Sequence, residues 1–274
     1  MAPISRLAVV AMLASAAFVN AAPILAPMAS DAAAPALTKT DSLAAAPGSW
    51  NSELSKRGVV GTIDRCTTVG TVALTFDDGP SNYTNELLDI LARKKVKATF
   101  FINGQNGNSI MAHKAVIERM HKDGHQIASH TWSHQDLATL SVTKMTEEMT
   151  KLDNAVKEII GVRPMFMRPP YGSTNPGVLS LLKKLGYTIV LWDQDTNDWR
   201  HPKEVDISFK VYEKALGEAN AINQPGHIFL QHDIHEYTVT KLAGMAIDYA
   251  LEKGFKVVTV GECLGVANTK WYRK

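Results

Sequence analysis

The stretch Val72-Ala73-Leu74-Thr75-Phe76-Asp77-Asp78 is an apolar run that ends in two adjacent carboxylates. A short run of this composition predicts a strand buried in a sheet. Similar runs recur along the chain, and each is followed by a longer amphipathic stretch that predicts a helix. About seven such strand–helix units, without a series of hairpins, predict an α/β fold whose parallel sheet closes as a barrel. An open doubly wound sheet is the alternative.

The composition is that of one ordinary folded domain. The chain has 274 residues, of which 45% are hydrophobic and 20% are charged. The formal net charge is +2, and no cluster of lysines and arginines marks a face for nucleic acid. We therefore expect no nucleic-acid partner.

The first residues differ in composition from the rest of the chain. Arg6 precedes an apolar run from Leu7 to Val19, so residues 1–21 predict a secretory signal peptide, with a hydrophobic first helix as the alternative. Residues 22–57 are rich in Ala, Pro and Ser and predict a disordered linker or propeptide. They end in Lys56-Arg57, which is either a processing site or a pair of solvated charges.

These features predict a secreted, extracellular protein whose folded domain spans residues 58–274. The apolar run near the start is too short and too rich in alanine to be preferred as a membrane anchor. The sequence ends Lys270-Trp271-Tyr272-Arg273-Lys274, without a hydrophobic terminal segment, so we expect no lipid anchor either.

Polar residues lie directly after the predicted strands. They are Asp77-Asp78, His130 and His134, Arg168, Asp195 and Asp198, and His232. In a barrel of parallel strands the carboxyl ends of all strands lie on one face, where active sites are built. The sequence therefore predicts that these separate clusters form one site.

Two histidines and a carboxylate are candidate metal ligands. His130 and His134 are spaced i, i+4, and a helical turn between them would place both imidazoles on one side. With Asp78 as the carboxylate, they match a catalytic zinc-type site that keeps a position for water. A histidine pair at this spacing is otherwise common on protein surfaces.

The second carboxylate of the pair has a different predicted role. Adjacent side chains at the end of a strand point in different directions, so Asp77 need not bind the metal and is free to accept a proton from water. Arg168 begins Arg168-Pro169-Pro170-Tyr171-Gly172, a loop that two prolines restrict, and its cation would orient and ionise Asp77. A purely structural loop is the alternative reading of this stretch.

Five further residues complete the predicted site. His232 is the candidate general acid, and Asp198 is the carboxylate expected to hold its tautomer and raise its pKa. The backbone N–H of Tyr171 is a candidate donor to an oxyanion. Leu230 and Trp199 are candidates for an apolar pocket that accepts a methyl group, with core packing as the alternative for Leu230.

The chain has two cysteines, Cys66 and Cys263, near opposite ends of the predicted domain. In an oxidising compartment they would form one disulfide that closes a very long loop. Two separate buried thiols are the alternative.

Together these stretches resemble the NodB-homology polysaccharide deacetylases, carbohydrate esterase family four, and are most similar to fungal secreted chitin deacetylases. The resemblance covers Thr71 to Cys263 and rests on five motifs in order. They are Thr75-Phe76-Asp77-Asp78-Gly79-Pro80, Ser129-His130-Thr131-Trp132-Ser133-His134, Arg168-Pro169-Pro170-Tyr171-Gly172, Asp195-Thr196-Asn197-Asp198-Trp199 and Leu230-Gln231-His232.

The resemblance implies a distorted (β/α)7 barrel of parallel strands that forms a single catalytic domain. It implies a divalent metal, zinc with cobalt as a second choice, bound by Asp78, His130 and His134. It also implies that Cys66 pairs with Cys263. The expected activity is removal of N-acetyl groups from N-acetylglucosamine residues of chitin or chitooligosaccharides, giving chitosan and acetate, and the expected oligomeric state is a monomer.

The resemblance also assigns a role to the remaining residues of the site. The implied roles are Asp77 as base with Arg168 beside it, His232 as acid with Asp198 beside it, the Tyr171 amide at the oxyanion, Leu230 under the acetyl methyl and Trp199 in substrate binding.

Two alternatives to chitin deacetylation stay open. The same chemistry acts on peptidoglycan or on O-acetylated xylan in other proteins of this kind, and the loops around the groove give no rule for choosing. A non-catalytic carbohydrate-binding protein is the alternative of another class, but binding alone needs no acid, base and metal set. A glycosidase is disfavoured, because its two carboxylates act without a metal and the histidine pair would be unexplained.

Overall fold

The computed structural model describes residues 61–218 and 221–274. The strands are β1 (Arg65–Val69), β2 (Thr71–Asp77), β3 (Thr99–Ile102), β4 (Gln105–Asn106), β5 (Asn108–Ser109), β6 (Gln126–Ser129), β7 (Arg163–Pro164), β8 (Phe166–Met167), β9 (Thr188–Ile189), β10 (Gln194–Asp195), β11 (Pro225–His232), β12 (Lys256–Val258) and β13 (Tyr272–Arg273). The α-helices are α1 (Thr84–Lys94), α2 (Lys114–Lys122), α3 (Val142–Ile160), α4 (Pro176–Lys184), α5 (Val205–Leu216), α6 (Ala243–Glu252) and α7 (Val260–Cys263). A π-helical turn, Thr238–Leu242, precedes α6.

The main sheet is curled and mostly parallel. Its strand order is β1-β11-β2-β3-β6-β8-β9, with β10 paired to β11 and β12 paired to β2. All of these pairs are parallel except β1 with β11. Ile63, just before β1, forms a parallel bridge with Val190, just after β9, so the two ends of this order are brought together. The predicted distorted α/β barrel is confirmed in this curled form.

Strand β2 is the centre of this sheet. It pairs with β11 along most of its length, with β12 at its start and with β3 at its end. All of its residues are buried. A parallel strand that is covered on both faces needs a continuous apolar run, which explains its sequence.

The two faces of β2 contribute to different cores. Val72, Leu74 and Phe76 pack in the larger core between the sheet and the outer helices, whereas Ala73 belongs to the core on the opposite face, inside the curl. Because side chains alternate along a strand, Asp77 lies on the same face as Ala73. The sequence of β2 therefore directs the Asp77 carboxylate into the inside of the curled sheet.

Cys66 and Cys263 form a disulfide across 197 positions of sequence, as predicted. The bond joins β1 to α7, and both cysteines are buried. It therefore ties the start of the described fold to its end.

Removing this disulfide is expected to lower the stability of the domain. Replacing both cysteines with Ser, C66S/C263S, should reduce the free energy of unfolding by about 2–5 kcal/mol, because the unfolded chain regains the freedom that a long closed loop removes. Urea unfolding of the variant, beside wild type with and without reductant, measures the effect. A variant as stable as the oxidised wild type would show that the cross-link does not contribute to stability.

Two sets of predictions concern residues outside the described ones. The predicted signal peptide at 1–21 and the predicted linker or propeptide at 22–57 both lie outside the residues that the structure describes. The start of the folded domain at residue 58 stays a prediction for the same reason. In the part of the chain that the structure describes, no helix combines the length and apolar character needed to cross a bilayer.

Candidate active site

The predicted site residues meet at the carboxyl ends of the parallel strands. Asp77 and His232 end the neighbouring strands β2 and β11, where they are register partners. His130 follows β6 directly, and Arg168 follows β8. The strand order brings these positions together at one edge of the curled sheet.

His130 and His134 lie close together, but not on a helical turn. The segment between them is a loop in which Thr131 and His134 have positive φ angles of 70° and 57°. The amide of Asn103 donates to the carbonyl oxygens of His130 (2.5 Å) and Thr131 (3.0 Å), and holds the loop in this shape. The two ring centroids are 4.9 Å apart. The predicted helical turn was therefore wrong, because contacts from a neighbouring loop outweigh the local i, i+4 spacing.

The candidate metal ligands form a compact cluster. One ligand atom from each of Asp78, His130 and His134 lies within 4.8 Å of the other two. The Asp78 Oδ1 atom is 3.3 Å from His134 Nε2 and 3.7 Å from His130 Nε2. Two imidazoles and one carboxylate at these distances fit a divalent metal of the zinc type.

The ring of His130 is set up as a neutral ligand. Its Nδ1 lies 2.7 Å from the carbonyl oxygen of Arg168, so Nδ1 carries the proton and donates it, leaving the lone pair of Nε2 toward Asp78. Burial lowers the pKa of His130 to about 3, which keeps the imidazole uncharged. A buried, oriented, neutral imidazole is the form that binds a metal.

Asp77 and Asp78 point in different directions, as predicted for adjacent residues. Asp78 has a left-handed backbone with φ 73°, its N–H donates to the carbonyl oxygen of Phe101 (3.2 Å), and the Asn106 amide donates to its Oδ1 (3.3 Å). A positive φ at a residue other than glycine is uncommon and occurs often at functional sites. Here it turns Asp78 toward the histidines.

Arg168 is fully buried and binds the carboxylate of Asp77. Its Nη1 donates to Asp77 Oδ1 (2.7 Å) and Thr75 Oγ1 (2.8 Å), and its Nη2 donates to the carbonyl oxygen of Leu191 (2.9 Å). Burial raises the pKa of Asp77, and the charge of Arg168 opposes that rise. The second oxygen, Oδ2, lies 3.7 Å from His130 Nε2 and so faces the metal-ligand cluster.

His232 and Asp198 form a hydrogen-bonded pair. The Asp198 carboxylate accepts from the Nδ1 of His232 (2.8 Å), from its backbone N–H (2.7 Å) and from the hydroxyl of Thr238 (2.8 Å). Burial by itself would lower the pKa of His232, but the hydrogen bond and the negative charge of Asp198 raise it to about 9. His232 is therefore able to carry a proton at neutral pH.

The three predicted substrate-binding residues differ in exposure. Tyr171, with φ 60°, has 67% of its surface exposed, and its ring meets the ring of His134 at a centroid distance of 4.7 Å. Trp199 is 45% exposed and lies under the guanidinium of Arg200. Leu230 is buried and lies within β11, so it packs in the sheet. The apolar pocket that Leu230 and Trp199 are expected to form stays a prediction.

Comparison with known proteins places this site in a family. The sequence profile described as polysaccharide deacetylase matches residues 64–190. A chitin deacetylase from Pestalotiopsis sp is 47% identical over 216 residues, which is 78% of this chain and 70% of that protein. The chain belongs to the polysaccharide deacetylase family.

Two further relatives support this membership of the polysaccharide deacetylases. The structure of the chitin deacetylase from Colletotrichum lindemuthianum aligns with a TM-score of 0.74 and 42% identity, covering 78% of this chain and 96% of that one. A probable peptidoglycan-N-acetylglucosamine deacetylase from Arthroderma benhamiae is 45% identical, over 77% of this chain and 48% of that protein. Relatives of similar identity thus carry the names of two different substrates.

Some residues that shape this deacetylase site were missed by the sequence reasoning. Asn103 follows β3 and supports the loop of His130, so it obeys the same strand-end rule as the predicted residues. Glu148 is buried on α3 and accepts from the N–H (2.7 Å) and hydroxyl (2.8 Å) of Ser133, between the two histidines. A glutamate on the apolar face of an amphipathic helix is a signal that could have identified it.

Proposed function

We propose that the protein removes N-acetyl groups from N-acetylglucosamine residues of chitin or chitooligosaccharides, giving chitosan and acetate. One observation carries the proposal. The Asp77–Arg168 pair, the Asp78–His130–His134 cluster and the His232–Asp198 pair all lie at one edge of the curled sheet. A base, a metal-ligand set and an acid at one place are what hydrolysis of an amide requires.

The ligand set of this proposal is Asp78, His130 and His134, and the preferred metal is zinc, with cobalt as a second choice. Two imidazoles and one carboxylate favour zinc over magnesium or calcium, which prefer oxygen ligands. Such an ion lowers the pKa of a water molecule and polarises the acetamide carbonyl.

The protein's own groups then move the protons. Asp77 accepts the proton of the attacking water on Oδ2, while Arg168 holds Oδ1. The backbone N–H of Tyr171 donates to the oxyanion that develops on the acetyl carbonyl. The C–N bond then breaks as His232 gives its proton to the leaving nitrogen, so the products are acetate and a free amine. Trp199 and Leu230 contact the sugar and the acetyl methyl.

The role of His232 predicts a shift in pH dependence. The acid is active only while protonated, so the rate falls as pH rises through its pKa, and Asp198 raises that pKa. D198N removes the negative charge, lowers the pKa of His232 and should move the alkaline limb of the kcat profile to lower pH. The profile of D193N, which alters the separate Asp193–His227 pair, is the matched control. If the alkaline limb of the D198N profile does not move, then the titration of a group other than His232 causes that limb.

The choice of chitin rests on the names of several relatives and needs a direct test. We expect protein loaded with one equivalent of zinc to release acetate from chitin pentamer faster than from peptidoglycan or acetylxylan. Faster acetate release from peptidoglycan or from acetylxylan would show that the protein performs the same reaction on that substrate instead. Binding of chitin oligomers without acetate release would support the non-catalytic carbohydrate-binding protein instead.

The proposal includes secretion of a processed monomer. Residues 1–21 would be removed as a signal peptide, residues 22–57 would be the linker or propeptide, and 58–274 would form the catalytic domain. The disulfide supports an oxidising compartment. N-terminal sequencing and light scattering of the protein recovered from culture medium test these points, and retention of residue 1 or a dimeric mass would contradict them.

A further inference from the structure

Asp233, the residue after the proposed acid, contacts the loop that carries the proposed base. It is fully buried. Its Oδ2 accepts from the hydroxyl of Thr84 at the start of α1 (2.5 Å), and its carbonyl oxygen accepts from the hydroxyl of Ser81 (2.6 Å). Ser81 also accepts from the N–H of Tyr83 (3.0 Å), so the turn between β2 and α1 is bound to Asp233 at two points.

The carboxyl group of Asp233 lies directly against Gly79. A Cβ atom added to Gly79 would be 2.4 Å from both oxygens of that carboxyl, which is far inside the normal contact distance. The backbone of Gly79 is outside the left-handed region, so its conformation alone would accept alanine. Glycine is therefore needed here because of Asp233.

Gly79 is held from its other side as well. Its carbonyl oxygen accepts from the N–H of Asn103 (2.9 Å), and its neighbour Asp78 donates its own N–H to Phe101 (3.2 Å). The loop is thus enclosed between the end of β3 and Asp233. Since Gly79 directly follows Asp78, any movement of this contact moves the proposed metal ligand.

A carboxyl group at this position costs stability. In the described part of the chain Oδ1 of Asp233 has no hydrogen-bond partner, and its Oδ2 is bound by a neutral hydroxyl. Burial raises the pKa of Asp233 to about 7. A buried polar atom without a partner destabilises the fold, so packing alone is a poor explanation for this residue.

We propose that Asp233 is a positioning residue that holds the Asp77–Gly79 loop in the geometry that metal binding and proton transfer require. It thereby couples the strand end that carries His232 to the loop that carries the base and a metal ligand. The inference rests on the proposed function, because it takes Asp78 as a metal ligand. It concerns how firmly that ligand is held.

Zinc affinity, measured by competition with a chromophoric chelator, tests the role without using activity. D233A should bind zinc about 10–100-fold more weakly, which is the usual effect of losing a group that supports a ligand. Its kcat at saturating zinc should fall while KM changes little. D233N keeps the volume and an oxygen that accepts from Thr84, so it should retain most of the affinity.

The matched control is D153A. Asp153 is also buried and accepts from Tyr187 (2.6 Å) and Arg273 (2.6 Å), so its loss should lower the melting temperature while zinc affinity stays unchanged. Wild-type zinc affinity in D233A would overturn the inference. Failure of the wild-type protein to bind zinc would instead overturn the proposed function. If D233A does not fold, G79A takes its place, because its added methyl group meets the same carboxyl group, and an unchanged zinc affinity there would overturn the inference as well.

A double-mutant cycle tests the contact with Gly79 itself. G79A alone should weaken zinc binding, because the new methyl group collides with the carboxyl of Asp233. In G79A/D233A the collision is absent, so the second substitution should add little to the effect of D233A. Strictly additive losses would overturn the proposed contact.

Discussion

Replacing Asp77 with Asn is expected to reduce acetate release by about 10²–10⁴-fold, the usual contribution of a general base. The amide cannot accept a proton from water, while the ligands Asp78, His130 and His134 stay in place. Zinc content should therefore remain close to one equivalent. Metal analysis joined to an acetate assay on chitin pentamer measures both quantities in the same sample.

Loss of charge at this position also affects folding. Asp77 is the buried partner of Arg168, and an unpaired buried cation costs about 3–5 kcal/mol. D153N, which removes the charge of buried Asp153 beside the partly exposed Arg273, controls for the loss of an ion pair away from the site and should keep its activity. Substantial turnover by D77N with metal bound would mean that Asp77 is not the base.

Replacing His130 with Ala is expected to abolish both metal binding and turnover. Even groups that only support a ligand change affinity by about 10–100-fold, so removal of a ligand should weaken zinc binding by more than that. Isothermal titration of the metal-free protein with zinc gives the affinity directly. Acetate release at the zinc concentration that saturates wild type gives the activity.

The matched control is H125A. His125 is another buried histidine, and it accepts from the N–H of Ala98 (3.2 Å) at the amino ends of β6 and β3, the opposite edge of the sheet from the site. Its removal should cost a similar amount of stability without a change in zinc affinity. If H130A bound zinc as tightly as H125A, then His130 would not be a ligand.

The location of the site followed from the sequence pattern. The apolar run before Asp77 required a strand buried on both faces, and the alternation of strands with helices required parallel neighbours. Parallel strands place their carboxyl ends at one edge, so Asp77, His130, Arg168 and His232 had to come close together. No local detail of the loops was needed for that conclusion.

The conformation of the loops did not follow from the pattern. The spacing of His130 and His134 suggested a helical turn, yet the chain there is a loop that Asn103 and Glu148 hold from other elements. Asn103 and Glu148 are both distant in sequence from the two histidines. Local propensity is too weak to compete with several such hydrogen bonds.

The sequence by itself determined the fold class, the face on which the site lies and the residue types available there, because these depend on periodicity and on the direction of parallel strands. Only the tertiary structure decided the left-handed turn of Asp78, the loop between His130 and His134 and the contact of Asp233 with Gly79. Each of these depends on groups that are far apart in the chain and come together only when the sheet curls.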